Sequence, residues 1–178
     1  VTCYRENTGL FWHGLPPECI LLHWMGDERG NHIPAGVNAT PIAIPIGTQM
    51  LHAAGLAWAE KAKKTGAIAV TFFGDGATSE GDFHEAANFA ASLKLPVVFC
   101  CQNNGWAISV PSSVQSAGET FAQRGISYGM PCVRADGNDL FAMTKVMKDA
   151  VARARAGDGP TFIEAVTYRL RDPTRAEA

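Results

Sequence analysis

The chain has 178 residues, of which 47% are hydrophobic and 18% charged, with a formal net charge of -2. That is enough apolar material for one domain with a substantial core, which excludes a disordered or fibrous chain, and it leaves no basic surplus for electrostatic capture of nucleic acid or of an anionic membrane. Apolar runs such as 67–73 and 96–101 are far shorter than the roughly 20 residues that span a bilayer, and no charged-then-apolar leader opens the chain, so a soluble protein with a small-molecule or protein partner is expected.

Thr48 to Lys64 is rich in Ala, Leu and Met and predicts a helix stopped by Thr65-Gly66. The nearly continuous apolar run from Ala67 to Phe73 suits a strand covered on both faces, followed by a turn at Gly74-Asp75-Gly76. Ser79, three residues before Asp82, resembles a capping arrangement for a helix to about Lys94, in which Phe83, Ala86, Ala87, Ala90 and Leu93 recur at helical spacing. Pro96 opens a second apolar strand, Val97 to Cys101, and a loop covers Ser109 to Ser116. A short strand around Pro131 to Arg134, the turn Asp136-Gly137-Asn138, a helix from Leu140 to Ala156 and a strand from Thr161 to Tyr168 complete the pattern. Strands alternating with helices predict an α/β fold, a parallel sheet with helices on both faces and ligand sites at the carboxyl ends of the strands. The first forty-odd residues are too irregular to assign. The five cysteines, Cys3, Cys19, Cys100, Cys101 and Cys132, are odd in number and show no Cys-x-x-Cys spacing. They suggest neither a disulfide framework nor a zinc cluster, and a reducing compartment fits them best. Adjacent Cys100 and Cys101 read as buried filler on opposite faces of a strand.

The strongest chemical signal is Gly74-Asp75-Gly76 at the end of one strand and Asn103-Asn104 at the end of the next. One strand-helix-strand unit returns the chain to a neighbouring position, so Asp75 and Asn104 can meet at one ion. A carboxylate and an amide oxygen are hard ligands suited to magnesium, which completes its octahedral shell with phosphate oxygens and water. The flanking glycines would let backbone approach a diphosphate, aided by the amides opening the following helix. Plain turns at both places are the bland alternative. Asp136 and Asp139 read as a turn residue and a helix cap rather than a metal pair.

Gly74-Asp-Gly76 with Ala-Thr-Ser-Glu-Gly-Asp-Phe-His-Glu85, Asn88-Phe-Ala90 and Gln102-Asn-Asn-Gly-Trp-Ala-Ile-Ser109 resembles the thiamine diphosphate motif of 2-oxo acid dehydrogenase alpha subunits. The similarity extends through Tyr4-Arg5-Glu6, Pro45-Ile-Gly-Thr-Gln49, Val133 to Asp139 and Gly159 to Glu164. The resemblance implies that Asp75, Asn104 and the carbonyl of Trp106 hold Mg2+, that Gly74, Gly76 and Ala77 line the diphosphate of thiamine diphosphate, and that Tyr4 and Arg5 reach it from the amino-terminal side. It implies that Ile46 is the apolar wedge under a bent cofactor, with Ile44 and Ile108 near the pyrimidine. It further implies a beta subunit that supplies the activating glutamate, a heterotetramer of two alpha and two beta chains, and acyl transfer to the lipoyl group of a transacylase core. The expected setting is bacterial or archaeal cytoplasm or the mitochondrial matrix. Pyruvate is the favoured 2-oxo acid substrate, with branched-chain and acetoin enzymes as alternatives. A bulky Phe83 would suit a small substrate if it faced the pocket.

Two departures stand out. The family's loop histidine, expected just beyond Tyr168-Arg169-Leu170, is absent, since no histidine follows His84. The family's further helices at both ends are also missing, so residues 1–178 read as a single cofactor-binding domain within a longer alpha subunit. Of the histidines present, His52 is the best placed to face the site. His84 could approach substrate or the beta subunit, but a helix-surface or packed histidine is the favoured reading. A magnesium phosphohydrolase would need an upstream Asp-x-Asp nucleophile that is not present, and a nicotinamide site would need Gly-x-Gly-x-x-Gly, which Gly81 misses. A catalytically silent subunit that keeps the cofactor fold is the remaining alternative.

Overall fold

The computed structural model describes residues 1–170. After two short helices, α1 (Asn7–Trp12) and α2 (Pro17–Trp24), and an extended stretch, the regular part begins with α3 (Thr48–Lys63). Then come β1 (Ala69–Gly74), a 3-10 turn (Asp75–Ser79), α4 (Gly81–Ser92), β2 (Val97–Asn103) and a small hairpin, β3 (Trp106–Ala107) and β4 (Val110–Pro111). Two short helices, α5 (Ser112–Gln115) and α6 (Ala122–Ile126), lead to β5 (Cys132–Asp136), α7 (Leu140–Arg155) and β6 (Thr161–Val166).

Four strands form one parallel sheet in the order β1-β2-β6-β5. Helices α3, α4 and α6 cover one face, where Met50, Ala53, Ala57, Phe83, Ala87 and Phe162 share a core, and α7 covers the other through Ala150 against Val98 and Ile163. The expected parallel sheet with helices on both faces is therefore what the chain forms. Alanines on α3 and α4 let the helices lie close to the sheet and to each other, and the remaining volume is filled by three phenylalanines. Phe73, Phe83 and Phe162 meet with ring centroids 5.7–6.2 Å apart, within the range of favourable aromatic pairs. Phe83 is fully buried in this cluster, so the size argument that would have placed it against a substrate does not hold.

Element ends differ from the sequence reading for local reasons. Helix α3 is closed by Lys64 itself, in the left-handed conformation at φ 57°, and the Thr65 hydroxyl accepts from Ala67 N–H, which keeps Ala67 in the turn and delays the strand to Ala69. Helix α4 has no side-chain cap: Glu80 occupies the cap position, and the Ser79 hydroxyl is engaged by Gln115 instead. The same helix stops at Ser92, leaving Leu93 partly exposed while Leu95 takes the buried position. Strand β2 runs two residues further than the apolar run, because Asn103 is paired in the sheet opposite Val166. Strand β6 ends at Val166, which leaves Tyr168 exposed. Asp136 and Asp139 do act as turn and cap: Asp136 accepts from Asn138 N–H, and Asp139 accepts from Phe141 and Ala142 N–H. All five cysteines are free, and burial pushes the Cys100 thiol up to about 12 and holds Cys101 well above its ordinary value too, which suits filler rather than redox work. Among the described residues no helix is long and apolar enough to cross a membrane.

Truncating Phe83 to alanine should cost about 3–5 kcal/mol in chemical denaturation, as for other buried aromatics, with no change in any selectivity for ligand size. A selective gain for bulkier acids without a stability loss would place the ring at the pocket instead.

Candidate functional site

The parallel register sets Gly74 opposite Gln102, so Asp75 and Asn104 leave the carboxyl ends of adjacent strands at nearly the same level. Neighbouring strands lie about 4.8 Å apart, which brings the two side chains within reach of a common ligand. An open cavity of about 200 Å³ sits there. Ten of the eleven residues singled out from sequence line it: Tyr4, Arg5, Ile46, Gly74, Asp75, Gly76, Ala77, Asn104, Trp106 and Ile108. Ile44 does not. It lies half exposed in the segment before α3, whose carbonyls at Ala43 and Pro45 are held by the buried Gln49 amide at 2.6 and 3.3 Å.

Asp75 is the most telling residue. The residue is 1% exposed, and among the described residues its Oδ1 has no hydrogen-bond partner while its Oδ2 has a long contact, 3.4 Å, from the Ser112 hydroxyl. Desolvation holds this carboxyl above the ordinary carboxylate range, opposed by the nearby backbone N–H groups of Asp75 and Asn104, the Ser112 hydroxyl and the Arg5 charge. A buried carboxylate oxygen left without a donor is costly, and a cation is the chemical species that would satisfy it. Asn104 is also buried, and its Oδ1 accepts from Trp106 N–H at 3.0 Å, which aims the amide at the cavity edge and retains a second lone pair for a metal.

The glycines serve two different ends. A side chain on Gly74 would meet nothing within 4 Å, so the cavity floor there is open to a ligand. A β-carbon on Gly76 would lie 2.9 Å from that of Ala107, so this glycine is required by the β3–β4 hairpin packed above it. The amides after Asp75 belong to the 3-10 turn rather than to α4, which starts only at Gly81. Ile108, at the hairpin's tip, has φ 54°, an unfavourable region for a β-branched residue and one typical of sites where backbone is held for a purpose. Arg169 holds it there. Its guanidinium donates to the Ile108 carbonyl at 2.6 Å and lies 5.0 Å from the centre of the Trp106 ring.

Several contacts that shape the site were not foreseen from sequence. Asn103 turns inward, donating to the fully buried Glu164 at 2.8 Å and accepting from Gly105 N–H, while Glu164 also accepts from Ala122 N–H at 2.8 Å and lies 3.4 Å from Arg134. Arg124 donates to the Thr78 carbonyl, tying α6 to the 3-10 turn. Gln115 and Ser112 reach the same turn from 40 and 37 positions away. Such pairings have no spacing signal in a sequence. His52 bonds back to the Thr48 carbonyl at 2.8 Å and His84 to the Tyr128 hydroxyl at 2.5 Å, and neither lines the cavity. The position expected for a loop histidine, after Leu170, lies outside the described residues.

The family model for the dehydrogenase E1 component matches residues 1–174. The chain belongs to the dehydrogenase E1 component family. Among its relatives, the 3-methyl-2-oxobutanoate dehydrogenase subunit alpha of Mycobacterium tuberculosis is 51% identical over 98% of this chain and 47% of its own length. The pyruvate dehydrogenase E1 component subunit alpha of Acholeplasma laidlawii is 48% identical over 98% of this chain and 50% of that protein. The corresponding Staphylococcus aureus subunit is 47% identical over 97% and 47%. The chain thus spans about half the length of these E1 relatives. Two solved structures share the fold: a transketolase from Pichia stipitis, at TM-score 0.63 and 20% identity over 85% of this chain and 26% of that one, and a putative thiamin diphosphate-dependent enzyme from Mycobacterium smegmatis, at TM-score 0.55 and 24% identity over 75% and 25%. This E1 chain accordingly has the α/β fold of thiamine-diphosphate-dependent enzymes.

Because burial raises the Asp75 pKa, the folded state favours its protonated form. Its contribution to the metal-free protein's stability is therefore fully present below the ordinary carboxylate range and is lost as pH rises through the raised value. Asp75→Asn, which mimics the protonated form, should raise the metal-free melting midpoint at neutral pH, with the gain shrinking as the pH is lowered. A midpoint unchanged or lowered at neutral pH would show that the carboxylate is already compensated.

Proposed function

We propose that this chain is the alpha subunit of a 2-oxo acid dehydrogenase's decarboxylating component and binds Mg2+ and thiamine diphosphate at the ends of β1 and β2. The observation that carries this reading is the buried Asp75 carboxylate, with one oxygen partnerless, beside Asn104 and the open floor at Gly74. The donor set fits. Asp75, Asn104 and the Trp106 carbonyl offer hard oxygen ligands to Mg2+, and the phosphate oxygens and water would complete its shell. No group of three or more His, Cys, Asp or Glu side chains that could hold a metal occurs among the described residues, which also suits an ion that takes much of its shell from its ligand.

Gly74, Gly76 and Ala77 would line the diphosphate, with Arg5 supplying a planar, bidentate cation from the amino-terminal side. Ile46 and Ile108, both exposed at the cavity, give the apolar wall for the ring system. Thiamine diphosphate, when bound, supplies the nucleophilic carbon and the electron sink for decarboxylation of a 2-oxo acid. This chain's residues hold and orient it, and Trp106, with Arg169 above its ring, walls the hairpin side of the cavity. At about 200 Å³ the cavity is smaller than the roughly 300–1,000 Å³ usual for a site that encloses a whole ligand, as a half-site completed by a second subunit would be. The proposed partner is a beta subunit, in a heterotetramer of two alpha and two beta chains, which supplies the activating glutamate. A lipoyl transacylase core then accepts the acyl group. The setting proposed is bacterial or archaeal cytoplasm or the mitochondrial matrix.

Pyruvate is the first substrate to test, on the likeness of Gly81 to Glu85 and Pro45 to Gln49 to pyruvate subunits. The second reading, a branched-chain 2-oxo acid, is supported by the 51% identity to the Mycobacterium tuberculosis 3-methyl-2-oxobutanoate subunit. Calorimetry on the chain co-expressed with its beta partner should show thiamine diphosphate binding that requires Mg2+ and is lost in both Asp75→Ala and Asn104→Ala. Binding that persists without Mg2+, or in both variants, would overturn the assignment. Turnover of pyruvate against 3-methyl-2-oxobutanoate then selects the substrate.

A further inference from the structure

The 3-10 turn that carries Asp75 is held from a distance by one side chain whose role lies outside the ligand set named above. Gln115, at the end of α5, donates its amide N–H groups to the Asp75 carbonyl at 3.0 Å and to the Ser79 hydroxyl at 3.1 Å, the first and last residues of the turn. The Asp75 carbonyl accepts a second bond from the Thr78 hydroxyl at 2.6 Å, so the peptide plane leaving Asp75 is fixed by two donors. The carboxylate itself is tethered only by the long contact from Ser112 and keeps Oδ1 free. Gln115 also leaves its own Oε1 buried without a partner. A residue serving only to fill space would not carry that desolvation cost, which typically runs to about 1–3 kcal/mol. The amide is retained for its donors.

We propose that Gln115 is a positioning residue that fixes the Asp75 carboxylate for a small octahedral cation, a role that rests on the magnesium-diphosphate reading of the cavity. The chemistry distinguishes this from general support. Mg2+ demands near-ideal octahedral geometry with bonds of about 2.0–2.1 Å, whereas Ca2+ accepts irregular shells at about 2.3–2.6 Å. Loosening the backbone under Asp75 therefore penalises the smaller ion selectively. A residue that merely stabilised the fold would weaken both ions alike or neither.

The test uses the chain assembled with its beta subunit, titrated with Mg2+ and separately with Ca2+ at fixed thiamine diphosphate, with cofactor binding read by calorimetry and the metal-free melting midpoint measured in parallel. Gln115→Met keeps an unbranched chain of similar length and removes both donors. Its half-saturating Mg2+ concentration should rise roughly five- to tenfold, the loss expected for one or two hydrogen bonds, while that for Ca2+ moves by less than about twofold. The metal-free midpoint should hold or rise, since the unpartnered Oε1 goes with the amide. Ser79→Ala, which removes only the outer acceptor, should shift Mg2+ in the same sense by less, and it serves if Gln115→Met does not assemble. Equal shifts for the two ions, or no shift for Mg2+, would overturn the positioning role. Asp75→Asn separates the two levels of the argument. If it abolishes Mg2+ dependence while Gln115→Met leaves selectivity intact, only the positioning role falls, and if it leaves Mg2+ dependence intact, the cation site itself falls and the positioning role with it.

Discussion

Everything at the carboxyl end of the sheet is arranged around one buried carboxylate with an unmet oxygen. Asp75 sits at the close of β1 with almost no access to water and without a cation among its protein neighbours in hydrogen-bonding contact. Folding such a group charged is unfavourable unless something outside the chain repays the lost hydration. Around that group lie a glycine with open space before it, a glycine pressed against the hairpin after it, and donors that reach its carbonyl more closely than Ser112 reaches its carboxylate. On the reading proposed above, this arrangement trades stability for a preformed ligand position.

The sheet makes this affordable. Because β1 and β2 are parallel and in register, Asp75 and Asn104 are brought together by ladder hydrogen bonds rather than by their own contacts. Beneath them, Phe73, Phe83 and Phe162 form a rigid floor, and Phe73 is the residue just before Gly74, so core packing and cavity floor are continuous. On the β2 side, Asn103 anchors the turn inward through Glu164 while Asn104 faces outward, which is the alternation expected of consecutive residues leaving a strand. Glu164 is fully buried yet meets two hydrogen-bond donors and the Arg134 guanidinium, in contrast to Asp75. Two buried carboxylates in one domain thus differ sharply: Glu164 is satisfied and joins elements, whereas Asp75 keeps an oxygen without a donor among the described residues.

The cavity's upper wall is built differently, from a two-residue hairpin with a strained Ile108 at its tip. The strain is offset by Arg169, which reaches back from beyond β6 to the Ile108 carbonyl and across the Trp106 ring. The chain segment that follows β6 is therefore tied to the same hairpin that covers Gly76.

The sequence by itself determined the alternation of strands and helices, the parallel sheet, and the pairing of Asp75 with Asn104, because hydrophobic period and turn residues are local properties and a strand-helix-strand unit has essentially one hand. It also determined the family, through motifs whose residues lie close together in the chain, and ten residues of the cavity wall. Helix ends moved by a residue or two because caps depend on backbone conformation, as at Lys64, and on competition for side chains, as when Gln115 engages the hydroxyl of Ser79. What only the tertiary structure decided was where individual side chains go: Phe83 into the core, Ile44 outside the cavity, Glu164 under Asn103, and Gln115 onto the Asp75 turn. The two polar pairings join residues 61 and 40 positions apart, and the burial that gives all four placements their energetic meaning exists only once the elements have packed.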